Sequence, residues 1–290
     1  MKFDKNTKIL IVGLGLIGGS YAKALSDEGY FVGAIDKKKS SVEYALKNGL
    51  IQVGETSVKK DFVKDFDLIV FALYPHDFIN WIKEYQSSIK SGALITDVTG
   101  VKSFVVENVQ KILHDDLEFV GAHPMAGKEV SGVENADPKI FVGANYIVTP
   151  TKKNTDENVQ AVKDLGRALG FERISSLSPE EHDETVGFLS HLTHCIAVSL
   201  MVSKKSPHLA EYTGDSFRDL TRIAKINDEM WSELFLANKD ELLKQMDLFE
   251  EKFNQLKEDI KNDNREKIRE TLRESTARRK VFDKDAKETK

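Results

Sequence analysis

A histidine beside a proline is the first candidate for chemistry in this chain. His123 is followed directly by Pro124 within residues 121–129. The proline ring forces the histidine toward an extended backbone and removes one amide donor, which fixes the direction of the imidazole. Such an imidazole could accept a hydroxyl proton while a hydride leaves the same carbon, and the ordinary pKa of histidine suits that task. The alternative is a histidine in a surface loop.

Two further pairs of side chains lie in helical sequence. His191 and His194 share one helix face and are candidates for a functional site. The alternative is that both are hydrogen-bonded histidines of the core or of an interface. No helical carboxylate or cysteine completes a familiar zinc arrangement with them, so no metal site is predicted. Arg218 and Arg222 are four residues apart. Arginine is the bidentate partner of a carboxylate, although structural ion pairs would explain these two equally well.

These side chains need a scaffold, which begins at residues 8–20, where an apolar run breaks into glycines and resumes as a helix. Gly13 allows a tight turn out of the strand, Gly15 lets a pyrophosphate approach the backbone, and Gly18 lets the helix pack closely on the sheet. The N-terminus of that helix faces the anion. The predicted cofactor-binding residues of this segment are Gly13, Gly15, Leu16, Ile17 and Gly18.

Asp36 ends the second apolar strand, eighteen residues after Gly18. A carboxylate at this place accepts hydrogen bonds from the ribose hydroxyls of NAD and repels the additional phosphate of NADP. The sequence therefore predicts NAD as the cofactor. Residues 37–39 are all lysines and keep NADP as the alternative, because they would pair with its phosphate if Asp36 turned away.

The spacing of the apolar segments predicts an α/β fold with an N-terminal doubly wound, Rossmann-type sheet. Strands are expected at residues 67–73, 93–97 and 117–121, and such apolar strands indicate a parallel sheet that is buried on both faces. Residues 122–150 are loop-like until a strand at 145–149. The last strand of this domain is expected at 171–175.

The character of the chain changes at Ser178, where a proline and a capping box open a series of helices. One of these helices is expected to run from Asn227 to about Lys261. The second domain is therefore predicted to be all-α. The predicted boundaries are residues 1–176 for the dinucleotide-binding domain and residues 177–290 for the helical domain.

Composition narrows the function classes. The net charge of −5 and the pI of about 5.9 argue against a nucleic-acid or membrane-surface role, because the chain has no overall basic character. No apolar run is expected to reach the length of a membrane span. The single cysteine, Cys195, excludes an internal disulfide and fits a reducing cytoplasm, where the protein is expected to be located.

Four motifs, in this order, resemble those of prephenate dehydrogenase and its arogenate-using relatives. They are VGLGLIGGS at 12–20, HPMAGKE followed by SGV within 123–133, SHLTH at 190–194 and FRDLTR at 217–222. The resemblance implies an NAD(P)-binding domain and an all-α domain that forms a homodimer, with a cyclohexadienyl substrate between them. The implied reaction oxidises the ring hydroxyl of prephenate, passes a hydride to NAD and releases CO2, which leaves 4-hydroxyphenylpyruvate.

The resemblance also implies roles for individual residues. His123 corresponds to the catalytic histidine that accepts the hydroxyl proton, Arg222 to the arginine that holds a substrate carboxylate, and His194 to a substrate-binding histidine. Glu129 corresponds to a residue that guards the pocket entrance. Arg218 corresponds to a polar residue at the rim of the site, near the dimer contact. Prephenate is favoured over arogenate, which has an amino group in place of the side-chain keto group.

One position departs from the pattern of this family. Many members carry a serine two residues before a lysine, where its hydroxyl bonds the catalytic histidine and the substrate. Here that position is Gly100, two residues before Lys102. Thr99 is the candidate that would supply the missing hydroxyl to His123.

Two other functions remain as alternatives. The β-hydroxyacid dehydrogenases also join a dinucleotide fold to a helical domain. Those enzymes resemble one another in carrying a catalytic lysine on an early helix of that second domain. Residues 179–202 contain no lysine. A non-catalytic NAD-binding protein would have no use for His123, His194 and Arg222 together.

Overall fold

The computed structural model describes residues 1–205 and 208–282 of the chain. These residues form two compact units, which are divided after Lys239. In the described part of the chain, every strand lies in the first unit.

The first unit is built on a parallel sheet of six strands. They are β1 (Lys8–Val12), β2 (Phe31–Ile35), β3 (Val53–Glu55), β4 (Leu68–Phe71), β5 (Leu94–Asp97) and β6 (Glu118–Phe119). Their spatial order is β3-β2-β1-β4-β5-β6, so the direction of winding reverses between β1 and β4. The predicted doubly wound parallel sheet is confirmed, and its ligand crevice is expected beyond the carboxyl ends of the strands at this reversal.

Helices cover both faces of this sheet. They are α1 (Leu16–Asp27), α2 (Lys39–Lys47), α3 (Lys60–Val63), α4 (Pro75–Tyr85) and α5 (Ser103–Ile112). The central strand β4 has no exposed side chain, because its residues contribute alternately to an apolar cluster on each face. This double burial explains its uninterrupted apolar sequence. Strand β3 was not predicted, because its three half-buried residues carry no strong apolar signal.

A second, smaller sheet follows. It consists of β7 (Gly121–Pro124), β8 (Asn145–Thr149) and β9 (Arg173–Ser176), with α6 (Asp156–Ala168) between β8 and β9. Strand β8 pairs antiparallel with β7 and parallel with β9.

A strand does lie within the predicted range 117–121, but it is shorter than predicted: β6 ends at Phe119, and Gly121 already belongs to the second sheet. A side chain at Gly121 would place its Cβ 2.5 Å from Thr149 Oγ1, so the two strands approach closely only because this residue is glycine. His123 therefore lies on a strand and not in the loop that its glycine- and proline-rich surroundings suggested.

The helical part of the first unit opens with α7 (Pro179–Val186) at the predicted capping box. Ser178 Oγ accepts a hydrogen bond from Glu181 N at 3.1 Å, and Glu181 Oε2 accepts one from Ser178 N at 2.8 Å. A π-helical segment, Gly187–Leu192, connects α7 to α8 (Thr193–Val202). By length and composition alone, the helical run from Pro179 to Val202 could cross a membrane, so the expectation that no apolar run reaches that length was wrong.

The long helix predicted from Asn227 to Lys261 is divided in the structure. After α9 (Asp215–Thr221), α10 (Asp228–Ala237) ends before Asn238. The Asn238 side-chain amide donates to the carbonyl oxygen of Asp183 at 2.9 Å, and its backbone leaves the helical region at φ −114° and ψ 30°. Apolar periodicity does not reveal such a break. The second unit contains most of α11 (Lys239–Lys261) and the whole of α12 (Arg265–Arg279).

Candidate active site

The glycine-rich loop after β1 has the shape of a phosphate cradle. Gly13 adopts φ +99°, and a Cβ there would lie 2.4 Å from the carbonyl oxygen of Ala72. A Cβ at Gly18 would lie 1.9 Å from the carbonyl oxygen of Gly13. A Cβ at Gly15 would meet no atom within 4 Å, so open space lies in front of this glycine at the start of α1. The loop therefore fits a pyrophosphate on its open side, next to Leu16 and Ile17.

Asp36 lies beside this loop. Its Oδ2 accepts a hydrogen bond from Leu14 N at 2.6 Å, and its Oδ1 accepts one from Lys38 N at 2.7 Å. These two bonds hold the carboxylate at the end of β2, toward the loop, where the ribose of a dinucleotide is bound in this fold. Because Asp36 does not turn away, the arrangement that would have favoured NADP is absent from this structure.

His123 is joined to two residues that the sequence analysis did not single out. Its Nδ1 lies 2.9 Å from Nε2 of His182, and Nδ1 of His182 lies 2.7 Å from Oδ1 of Asp183. His182 and Asp183 lie in α7 and are both buried. A histidine and an aspartate next to each other, directly after a capping box, were the available signal in the sequence.

The hydrogen bonds of this relay decide which nitrogen of His123 is basic. The Asp183 carboxylate can only accept, so His182 carries its proton on Nδ1 and leaves Nε2 as an acceptor. His123 then donates from Nδ1 to His182, and its own Nε2 keeps a free lone pair. The relay therefore presents His123 Nε2 as a proton acceptor, the same logic by which an aspartate orients the base of a catalytic triad.

The surroundings keep both imidazoles neutral. Burial is the largest influence lowering the pKa of His123 well below its ordinary value, and His182 and Lys102 act in the same direction. Burial also lowers the pKa of His182 and outweighs the opposing hydrogen bond to Asp183. Burial opposes ionisation of Asp183, but the hydrogen bond to His182 and the backbone amides of Lys102 and Ser103 keep its pKa below the ordinary value. A neutral His123 is the form that can accept a proton.

Thr99 does not contact His123 through a hydrogen bond in this structure. Its hydroxyl donates to Asp97 and lies 3.0 Å from the carbonyl oxygen of Val101, and it receives a bond from Lys102 Nζ at 3.1 Å. Lys102 also binds Asp97 Oδ2 at 2.6 Å, and both of these charged side chains are fully buried. Thr99 thus supports a buried ion pair, and in this structure the hydrogen-bond partner of His123 is His182.

The helical residues form an aromatic wall. The His194 ring packs against Trp231 with centroids 3.7 Å apart and the ring planes tilted by 31°. His194 Nδ1 donates to the carbonyl oxygen of Ser190 at 2.9 Å, which leaves Nε2 available. His191 is buried at the edges of Trp231 and Phe235, and burial lowers its pKa to about 4. His194 is half-buried and His191 is not exposed, so of these two only His194 is open to a ligand.

The two predicted arginines differ in their surroundings. Arg222 forms an ion pair with Glu129, which comes from the segment after β7. Arg218 is exposed on α9, where it binds Asp215 at 2.9 Å and the carbonyl oxygen of Thr213 at 3.0 Å. The structure therefore brings Arg222 and Glu129 together and leaves Arg218 outside this cluster. In residues 1–205 and 208–282, no group of three His, Cys, Asp or Glu side chains has the geometry of a metal site.

A parallel sheet with a glycine-rich phosphate loop and an oriented neutral imidazole defines a dinucleotide-dependent dehydrogenase. The family models agree and are more specific. Residues 21–173 match the nucleotide-binding domain of prephenate dehydrogenase, and residues 178–274 match its dimerization domain. The chain belongs to the prephenate dehydrogenase family, which confirms the resemblance seen in the four motifs.

Individual relatives support this assignment. The prephenate dehydrogenase of Bacillus subtilis is 35% identical over 247 residues, which cover 82% of this chain and 66% of that protein. The cyclohexadienyl dehydrogenase of Zymomonas mobilis is 28% identical, with 96% of both chains covered. The crystal structure of prephenate dehydrogenase from Aquifex aeolicus, in complex with hydroxyphenyl propionate and NAD+, has a TM-score of 0.87 at 35% identity and covers 96% of this chain and 98% of its own. The chain thus spans about two thirds of the Bacillus relative.

Three histidines with lowered pKa values should make folding sensitive to acid. Histidines of the unfolded chain titrate at about pH 6.5, whereas burial lowers the pKa of His123, His182 and His191 in the folded protein. As the pH falls through the pKa of the unfolded histidines, the unfolded state binds more protons than the folded state, and the free energy of unfolding decreases. We expect the urea concentration at the unfolding midpoint to decrease as the pH is lowered from about 7 to about 5. His191→Phe should make this decrease smaller.

The matched control is His114→Asn, which changes an exposed histidine. Urea unfolding of wild type, His191→Phe and His114→Asn at each pH gives the slope of the urea midpoint against pH. Because slopes are compared, a lower absolute stability of His191→Phe does not obscure the result. Equal slopes in all three proteins would contradict the assignment.

Proposed function

We propose that this protein oxidises prephenate with NAD, with hydride transfer from the ring carbon that carries the hydroxyl group and loss of the ring carboxylate as CO2. The observation that supports this most strongly is the relay from Asp183 through His182 to His123, which leaves His123 Nε2 as a base. The reaction needs such a base because the hydroxyl must lose its proton as the hydride leaves.

In the proposed reaction, His123 Nε2 accepts the proton of the ring hydroxyl. Bound NAD supplies the hydride acceptor. The electron pair released by breaking the bond to the ring carboxylate completes the aromatic ring, and the protonated His123 returns its proton to the resulting phenolate oxygen. His182 remains hydrogen-bonded to His123 Nδ1 throughout, and Asp183 stabilises the transient positive charge on the imidazoles.

The same proposal assigns the binding residues. Gly13, Gly15 and Gly18, with Leu16 and Ile17, would hold the pyrophosphate, and Asp36 would bind the adenosine ribose, as their geometry allows. Arg222 would bind a substrate carboxylate in exchange for Glu129, and Glu129 would thereby control entry. His194 would contact the substrate through Nε2. Arg218 would act at the rim, because its guanidinium is exposed and held by Asp215.

The domain and assembly assignments are also proposals. We place the boundary between the dinucleotide-binding domain, residues 1–176, and the helical domain, residues 177–290. A homodimer through the helical domain is supported by the match to a dimerization domain. Large apolar side chains exposed in this region agree with it; in the first unit they include Phe188, Leu189, Met201, Val202, Leu220 and Leu236. We expect a cytoplasmic location, with no nucleic-acid or membrane partner.

The direct test is to measure the reduced nicotinamide formed by the purified protein, with prephenate and with arogenate, and with NAD and NADP for each. We expect turnover with prephenate and NAD, and weak activity with NADP because Asp36 would face its additional phosphate. Preference for arogenate would move the substrate assignment to the amino acid. Absence of activity with both would refute the proposed function.

His123→Asn should lower kcat by on the order of 10²–10⁴-fold and change KM little, because the amide cannot act as a base. Asp183→Asn should also lower kcat strongly. An asparagine side chain can donate to His182 Nδ1, which would reverse the relay and place the proton of His123 on Nε2. Steady-state kinetics of both variants and of the exposed control His114→Asn test this. Asp183→Asn with the kcat of wild type would contradict the proposed relay.

Arg222→Gln should act on binding instead. The loss of a charge-assisted hydrogen bond costs about 1.5–3 kcal/mol, so we expect KM for prephenate to rise by about 10- to 100-fold with a smaller effect on kcat. The control is Arg167→Gln, which removes an exposed arginine that pairs with Asp164 on α6. A fall in kcat with unchanged KM would assign Arg222 a role other than substrate binding.

A further inference from the structure

A carboxylate from α10 binds the N-terminus of α4. Glu233 Oε1 accepts a hydrogen bond from His76 N at 2.6 Å and lies 2.5 Å from Nδ1 of the same residue. The residue that precedes α4, Tyr74, provides no side-chain cap of its own. The Glu233 side chain is only 16% exposed, although His76 is largely open to solvent. The first backbone N–H groups of a helix have no partner within the helix, so an oxygen that accepts the bond from His76 N satisfies one of them and stabilises the position of α10.

Other residues of the same helix contact the ends of further elements. Asn227, directly before α10, donates through Nδ2 to the hydroxyl of Tyr74 at 3.2 Å. Leu234 is buried in the apolar cluster on one face of the large sheet, and its δ-methyl groups lie 3.4 Å from where a Cβ of Gly100 would be. Asn238, directly after α10, bonds the carbonyl oxygen of Asp183. Helix α10 therefore bridges the segments that follow β4 and β5 and the first turns of α7.

The segment that Glu233 holds also touches the phosphate loop. A Cβ at Gly13 would lie 2.4 Å from the carbonyl oxygen of Ala72 and 3.0 Å from Cδ2 of Leu73, so the two segments are in close contact. At the same time, α10 carries Trp231, which packs against the ring of His194. One short helix thus connects the cradle of the cofactor to the aromatic wall on the helical side.

We propose that Glu233 is a positioning residue, which docks α10 on the N-terminus of α4 and so holds the Trp231–His194 wall in register with the cofactor loop. This inference rests on the proposed function for its kinetic effect. It goes beyond that function because Glu233 touches neither the reacting atoms nor the proposed binding residues. It acts through the position of Trp231, two residues earlier on the same helix.

The kinetic test compares Glu233→Ala with Glu233→Gln. The glutamine retains an oxygen that can accept the bond from His76 N, whereas the alanine removes it. We expect Glu233→Ala to raise KM for the substrate by about tenfold, as the loss of one hydrogen bond to a charged group predicts, with a smaller change in kcat. Glu233→Gln should remain within about threefold of wild type. The matched control is Glu229→Ala, which removes an exposed glutamate from the same helix.

Two measurements do not depend on turnover. The chain has two tryptophans, and in the described structure the buried Trp81 Nε1 has no hydrogen-bond partner, so Trp81→Phe leaves Trp231 as the fluorescent reporter without loss of a hydrogen bond. In that background, Glu233→Ala should shift the emission of Trp231, and Glu233→Gln should not. In the otherwise unchanged protein, amide exchange at His76 should be faster in Glu233→Ala than in wild type or Glu233→Gln.

These results separate the two proposals. If wild type oxidises neither prephenate nor arogenate, the proposed function fails, while Trp231 emission and His76 exchange still decide whether Glu233 positions α10. A substrate KM in Glu233→Ala equal to that in Glu229→Ala would overturn the positioning role. Equal losses in Glu233→Gln and Glu233→Ala would do so as well, because a retained acceptor would then have no value.

Discussion

The carboxylate of Asp183 is the contact on which the candidate site depends. It accepts hydrogen bonds from the backbone amides of Lys102 at 2.7 Å and Ser103 at 2.8 Å, at the start of α5, and from Nδ1 of His182. Its own carbonyl oxygen receives the side chain of Asn238 after α10. Asp183 therefore fixes the start of α5, which packs on the large sheet, the tautomer of His182 and the end of α10. A carboxylate at the N-terminus of α5 is also stabilised by the partial positive charge of that helix end.

A buried ion pair, formed by Asp97 and Lys102, fixes the strand that carries His123. Asp97 ends β5, and its Oδ1 accepts a hydrogen bond from Ala122 N at 3.0 Å while its Oδ2 binds Lys102 Nζ. A buried ion pair is stable only when its remaining polar atoms have hydrogen-bond partners. Removal of one of its two charged groups costs about 3–5 kcal/mol. Here Thr99 and the amide of Ala122 provide those partners. The same pair brings a positive charge near His123, which contributes to the lowered pKa of that imidazole.

The sequence predicted the parts of this structure that depend on local pattern. The glycines at 13, 15 and 18 and the acid at 36 indicated the cofactor cradle, because their function requires fixed spacing along the chain. Apolar runs indicated a parallel sheet, and Ser178 with Glu181 indicated the start of α7. Pro124 correctly drew attention to the extended backbone of His123, although the strand that holds it was not recognised.

What the sequence did not reveal depends on contacts between distant residues. His182 lies 59 residues after His123, and Glu233 lies 157 residues after His76, so no local pattern connects either pair. The break at Asn238 has the same origin, since it follows from a hydrogen bond to a residue 55 positions earlier. Thr99 was a reasonable candidate by proximity in sequence, but its hydroxyl is needed by the buried pair of Lys102 and Asp97.

Gly100 shows how the site accommodates a missing hydroxyl. A Cβ at this position would lie 3.9 Å from Cε1 of His123, and 3.4 Å from both δ-methyl groups of Leu234. The glycine therefore lies against the imidazole ring, in a space that Leu234 of α10 borders. With His123 held at Nδ1 by His182, a hydroxyl from this side is not required to orient the ring. Orientation through Nδ1 and the proposed proton acceptance through Nε2 thus fall on opposite edges of the same imidazole.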